Sequence, residues 1–347
     1  MNNNTNMMKK NNNENSGKET LAGATACEQL AAKKGQIYSG IGGQAVIEGI
    51  MMKNGERYAV GVRKPDGSIE VMEDRYVSMS DKYKFCKLPF IRGVFSFVDS
   101  MILGMKSLTF SASFFEDDEN AEPSELEKFL DRVFGEKLEA LLSTVVIGIS
   151  FVAALLLFVL FPAWLAGLLK HWIQSETILG LIEGMIRVLI FVIYIKVISR
   201  TPDIARTFQY HGAEHKCINC VEHGLPLTVE NVAMSSKEHK RCGTSFIVYV
   251  MLISILLFMV IRVDGILLKF LSRIILIPVI AGISYEVLRV VGLHDNAVTN
   301  VLFIPGMWMQ GLTTSEPDKE QIEVAIAAVE KVFDWKSFEK EKFGNDL

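Results

Sequence analysis

The sequence predicts an α-helical polytopic membrane protein with about four transmembrane helices, a small N-terminal β-containing soluble unit and a C-terminal amphipathic helix. Three observations predict it. Half of the residues are hydrophobic and the mean hydropathy is +0.27, yet the apolar residues crowd between positions 141 and 291. Within that region, runs of about 20 mostly apolar residues recur, the length that crosses a hydrocarbon core. Outside it, a period of two near the start and a helical period near the end mark soluble elements. The formal net charge of −4 gives no sign of a nucleic-acid partner.

Residues 1–36 are rich in Asn, Lys, Thr and Ala, have no apolar core of signal-peptide length, and are expected to be a disordered extension. Residues 37–90 read as a small β-rich cytosolic unit. Arg57 to Arg63 and Ser68 to Met72 alternate around Pro65-Asp66-Gly67, a hairpin signal. GIGGQAVIEGIMM (40–52) reads as a glycine-rich turn that continues as one strand. It matches neither GxGxxG nor a P-loop, so its glycines serve tight backbone geometry. Residues 91–140 combine an interfacial amphipathic helix with an acidic linker. Ile91 to Phe110 is apolar but carries Arg92, Asp99 and Lys106, which suit the membrane surface better than its centre.

The spans follow. Leu141 to Leu169 is free of charge, and Thr177 to Ser199 carries Glu183, Arg187 and Lys196; together they make residues 141–199 the first helical pair. Glu183 and Arg187 stand four apart and are expected to neutralise each other. Residues 244–291 hold the second pair, Thr244 to Ile261 and Ile266 to Val291. The last contains Lys269, Arg273, Pro278, Glu286 and Arg289, so it is expected to tilt or re-enter. The connection at 200–243 holds Arg200, Arg206, Lys216, Lys237, Lys240 and Arg241, against little in the other two links. The positive-inside rule therefore puts it and both termini in the cytoplasm, at the cell (inner) membrane. In the cytosolic C-terminal region, 292–347, Thr313-Thr-Ser-Glu-Pro reads as the start of a helix. Ile322, Ala325, Ile326, Val329 and Val332 then make one face, expected to dock on the protein's own soluble part.

The connection at 200–243 carries the chemistry. It holds four of the six histidines and three of the five cysteines. His211-x-x-Glu214-His215 is an HxxEH sequence; on a helix both imidazoles share a face and can hold one metal ion. In zinc peptidases with this order the acid is the general base toward water polarised by the metal. Such a site wants a third ligand. Glu286 or His239 fills that role, Glu286 because it lies near the cytoplasmic end of the fourth span, and Cys242 belongs to the same candidate set. A competing set is Cys217-x-x-Cys220 with His239-x-x-Cys242, the spacing of a structural zinc ribbon with one Cys replaced by His. The cofactor under either reading is zinc or another divalent metal.

GGQAVIEGIMM, PFIRGV, YHGAEHK, LTVENV, RCGTSF, AGISYE and LTTSEPD, in this order from about residue 38 to 333, resemble the YqhQ-like family of bacterial membrane proteins. Lys240 stands where that pattern has proline, and the Asn-rich start matches no block. The resemblance implies a polytopic membrane location and a metal centre at His211, Glu214 and His215. It names no substrate. It also implies a membrane-associated protein partner linked to translation or the translocon.

Three functions are weighed. The first is a metal-dependent hydrolase at the cytoplasmic membrane face with Glu214 as base. The second is a non-enzymatic scaffold or assembly factor folded by structural zinc. The third is a transporter, for which four spans suffice only as a dimer and no inverted repeat is visible. Membrane lipid, a second copy of the chain and a membrane-associated protein are the expected partners.

Overall fold

A computed structural model describes residues 36–115, 138–261, 263, 265–294 and 296–345. The Asn-rich extension and the acidic linker at 116–127 lie outside the described residues.

The chain enters as a four-stranded antiparallel meander, β1 (Ile41–Val46), β2 (Gly49–Asn54), β3 (Arg57–Arg63) and β4 (Ile69–Arg75), in that spatial order. The expected hairpin forms around Gly67, whose φ of 83° only glycine adopts cheaply, and pairs Arg63 with Ile69. Residues 40–52, expected as one strand, are two. Glu48, next to the last β1 pair Val46↔Gly49, takes the left-handed φ of 46°. Neither central residue of that turn, Ile47 or Glu48, is a glycine or proline. The strained residue is held by its carboxylate, which accepts hydrogen bonds from Arg206 and from the Tyr210 hydroxyl (3.3 Å).

Both faces of the sheet are covered, so alternate side chains enter different cores. Ile50, Met52 and Ala59 face one core; Met51, Tyr58, Val60 and Val62 face the other. The second core is closed by Leu103 of α1 (Ile91–Ala112), the helix expected at 91–110. Phe97, Met101 and Met105 of α1 stay exposed, leaving an apolar stripe on its outer side.

Among the described residues, four helices are long and apolar enough to cross a membrane, and the protein is an α-helical polytopic membrane protein. The first is α2, built from Leu138–Leu155, a π-helical turn Leu156–Leu160 and Phe161–Leu168. The others are α3 (Glu176–Ile198), α6 (Gly243–Val260) and α7 (Ile266–Leu293). Their outward residues, among them Ile149, Leu189, Leu256 and Ile275, are aliphatic and exposed, as lipid-facing positions require. The expected Glu183–Arg187 pair forms at 2.9 Å and is joined by Arg273 at 2.6 Å.

Between α3 and α6 the chain is not a loop. It forms α4 (Pro202–Glu222) and α5 (Val229–Met234). A further helix, α8 (Ala297–Thr313), crosses against α6; nothing was expected there. Thr313 ends this helix, so the next one begins later than expected. It is α9 (Lys319–Val332), capped by Asp318 through a reciprocal pairing with Gln321. α10 (Trp335–Phe343) follows.

Ile322, Ala325 and Val329 of α9 are buried, and they complete the first sheet core together with Tyr210, Ala213, Cys217 and Val221 of α4. Gly61 of β3 makes this possible, since a Cβ there would lie 3.1 Å from the Val324 carbonyl oxygen. The soluble body is thus one core assembled from residues before, between and after the spans, all on one side of the helical bundle.

Candidate metal centre

Every residue of HxxEH lies on α4. At 3.6 residues per turn, His215 stands about 40° round the helix from His211, while Cys217 and Cys220 point roughly to the opposite side. That geometry divides the candidate residues. Cys217 and Cys220 are buried in the apolar core, and burial pushes the Cys217 thiol well above its usual range, with Cys220 and Glu214 adding to the effect. The cysteine–histidine quartet expected for a structural zinc site therefore does not converge.

What converges is His211, His215 and Cys242, whose ligand atoms all lie within 4.8 Å of one another. Cys242 comes from outside the motif. It is the N-cap of α6, where its sulfur accepts from the Thr244 backbone N–H at 3.4 Å. His211 Nε2 is 3.2 Å from Cys242 Sγ. The edge of a tetrahedron with Zn–N about 2.0 Å and Zn–S about 2.3 Å is roughly 3.5 Å.

Both imidazoles are oriented through their other nitrogen. His211 Nδ1 lies 2.9 Å from the Thr313 carbonyl and His215 Nδ1 2.6 Å from the Lys237 carbonyl. A carbonyl only accepts, so each Nδ1 carries a proton, and in the neutral imidazole each Nε2 is then the nitrogen left for a metal. His215 Nε2 is buried and has no hydrogen-bond partner among the described residues. Such an orphan costs about 1–3 kcal/mol unless something fills it. Two imidazole nitrogens and one sulfur fit zinc and its borderline-soft neighbours.

Two close approaches place these groups. At Gly212 a Cβ would come within 2.0 Å of the Ser315 carbonyl oxygen, so glycine lets segment 313–317 lie against α4 and set Thr313 over His211. At Gly43 a Cβ would meet Met51 O at 2.7 Å and Glu214 Cγ at 2.9 Å. Glu214 fits beneath β1, where burial pushes its carboxyl up against the opposing effects of His211 and the Gly43 N–H. It neighbours the metal group without being one of its three ligands.

The polar face of α4 also holds the chain that delivers Cys242. Lys216 Nζ donates to Ala233 O and Ser235 O, and Asn219 Nδ2 to Ser236 O and Glu238 O. Gln310 of α8 bridges the His239 N–H, the His239 carbonyl and Ser245. Glu222, fully buried, receives Arg241, Gln36 and the Ser39 hydroxyl and N–H. Burial alone would raise its pKa, but His239 and Arg241 outweigh that and hold it at about 2. His239 is committed to Glu222, and burial lowers its pKa. It therefore does not serve as third ligand here. Neither does Glu286, whose carboxylate is taken by Arg92 and the Phe90 N–H (3.1 Å) of α1 and its approach. Reading from the sequence missed Lys216, Asn219, Glu222 and Gln310. The first three recur at helical spacing beyond HxxEH, which was the available signal.

Five of the seven sequence blocks meet one another in space. Gly93 of PFIRGV packs on Gly282 of AGISYE, Ser315 of LTTSEPD on Gly212 of YHGAEHK, and Cys242 of RCGTSF on His211. A family described as "Protein of unknown function (DUF1385)" matches residues 88–335. The chain belongs to that family. It is also 38% identical, over 295 residues, to "Uncharacterized protein YqhQ" of Bacillus subtilis (strain 168), a match spanning 84% of this chain and 92% of that protein. The match between the family and residues 88–335 takes in the whole of α4, the Cys242 cap and Thr313, so the three converging side chains and both orienting carbonyls lie inside it. No solved structure matches the chain.

Proposed function

We propose that the protein is a metal-dependent hydrolase working at the cytoplasmic face of the cell membrane. His211, His215 and Cys242 hold zinc or a related divalent ion, and Glu214 acts as base. The observation that carries this is the buried, unpartnered Nε2 of His215 beside His211 and Cys242. Three protein ligands leave a fourth position, the pattern of catalytic zinc sites. An ion so held supplies Lewis acidity toward water or a carbonyl oxygen. The chain's own part is to fix both imidazole tautomers through Thr313 and Lys237 and to hold beside them the Glu214 carboxyl, which burial raises above its usual range. The basic residues between α3 and α6 support the cytoplasmic placement.

A second reading is a scaffold or assembly factor in which the ion pins α6 to α4. The burial of the site favours it, since His215 is 1% and Cys242 5% exposed.

Elemental analysis of detergent-purified protein tests the centre. Wild type and Cys217→Ser are expected to carry about one metal ion per chain, and His215→Ala and Cys242→Ser much less. Metal loss in Cys217→Ser would restore the zinc-ribbon quartet. Glu214→Gln separates the two readings: an enzyme keeps its metal and loses cellular complementation, whereas a scaffold keeps both.

A further inference from the structure

At the end of the bundle away from the soluble core, α2, α3, α6 and α7 enclose a cavity of about 250 Å³. It opens near the links between the first and second spans and between the third and fourth, where Lys170 and Val263 line it. Its floor is charged. Glu183 gives one oxygen to Arg187 (2.9 Å) and the other to Arg273 (2.6 Å). Both guanidinium groups lie against the Phe258 ring, 5.4 and 5.5 Å from its centroid. Two cations thus share one carboxylate.

The two arginines are not equivalent. Arg187 makes three hydrogen bonds, donating also to Phe158 O (2.9 Å) and Ser254 Oγ (3.4 Å). Arg273 has Glu183 as its one hydrogen-bond acceptor among the described residues, and it lines the cavity. A guanidinium has five donors in a fixed fork suited to phosphate. An unmatched positive charge at this depth is costly without a counter-ion. The remaining wall holds Glu176, which Lys170 pairs at 3.0 Å, and Ser272, among small or apolar residues such as Gly167, Leu179 and Phe258.

We infer that this cavity binds a phosphate-bearing anion, with Arg273 as its reader and Glu183 and Arg187 as the frame that aims Arg273. A glycerophospholipid fits both halves of the wall, phosphate on Arg273 and acyl chain on the apolar side. Free phosphate offers the same charge. This site is separate from the metal centre and does not depend on it.

Native mass spectrometry of the full chain, stripped of lipid in mild detergent, decides it. The probes are dihexanoyl phosphatidylglycerol, dihexanoyl phosphatidylcholine and inorganic phosphate. Wild type is expected to bind one phosphatidylglycerol saturably and the zwitterionic lipid more weakly. Arg273→Gln leaves the neutral Glu183–Arg187 pair intact and should weaken binding at least tenfold. Gly167→Leu should do the same by filling the space, because a Cβ at Gly167 meets nothing within 4 Å. Competition by inorganic phosphate at equal concentration would assign the site to the free anion, and lack of competition to the lipid. Absence of saturable binding in wild type, or unchanged binding in both variants, overturns the inference.

Discussion

Glu222 shows how much one side chain can carry in this protein. Its carboxylate is buried and joins Gln36 and Ser39 to Arg241, one step before the Cys242 ligand. Replacing it with Gln strands Arg241 without its counter-charge, at a cost of about 3–5 kcal/mol. Denaturant titration in detergent should register that loss. The same residue sets an acid limit. With a folded pKa near 2, below the roughly 4.3 of an unfolded Glu, its contribution is complete above about pH 4.3. It is lost as pH falls toward 2, and amounts to about 3 kcal/mol at neutrality. Wild type should thus lose stability between about pH 4.3 and 2 more steeply than Glu222→Gln does.

At the scale of elements, α4 is where helix propensity and packing disagree most. Gly212 sits mid-helix, where alanine would ordinarily gain about 1 kcal/mol. Here the added Cβ meets Ser315 O at 2.0 Å, so Gly212→Ala should lower the melting temperature and the metal content together. A variant that is more stable and fully metal-loaded would show that Thr313 need not lie over His211. The same helix explains what could be read in advance. HxxEH was legible because both histidines share one face of a single helix. The cysteine pair misled because spacing alone does not say which face it occupies, and Cys217 and Cys220 turn to the core. Cys242 gave a weak signal, since its sulfur reaches His211 only through the hydrogen bonds of Lys216, Asn219 and Gln310.

Across the whole molecule, the spans were legible because their apolar runs are long, and the C-terminal helix because its apolar face is periodic. α8 was not: its apolar run holds Pro305 and is shorter than a span. The β1–β2 turn was also hidden, because a salt bridge, and no turn residue, bends it at Glu48. The partnership of Glu286 with Arg92 depended on where α1 docks, which no local pattern states. The shared core makes a further expectation. Removing residues 319–345 would uncover Ile50, Met52 and Ala59, which α9 covers. Limited proteolysis should then cut the N-terminal sheet, which intact protein protects.

That core has a consequence for how the chain is made. The sheet is synthesised first, yet α9, the last helix of its core, emerges only after two hairpins of membrane helices have been threaded. A copy that skipped one crossing would deliver α9 to the wrong compartment, and the sheet would stay bare for a protease to find. Closure of the soluble body is in this sense a parity check on insertion: it succeeds only when the count of crossings is even.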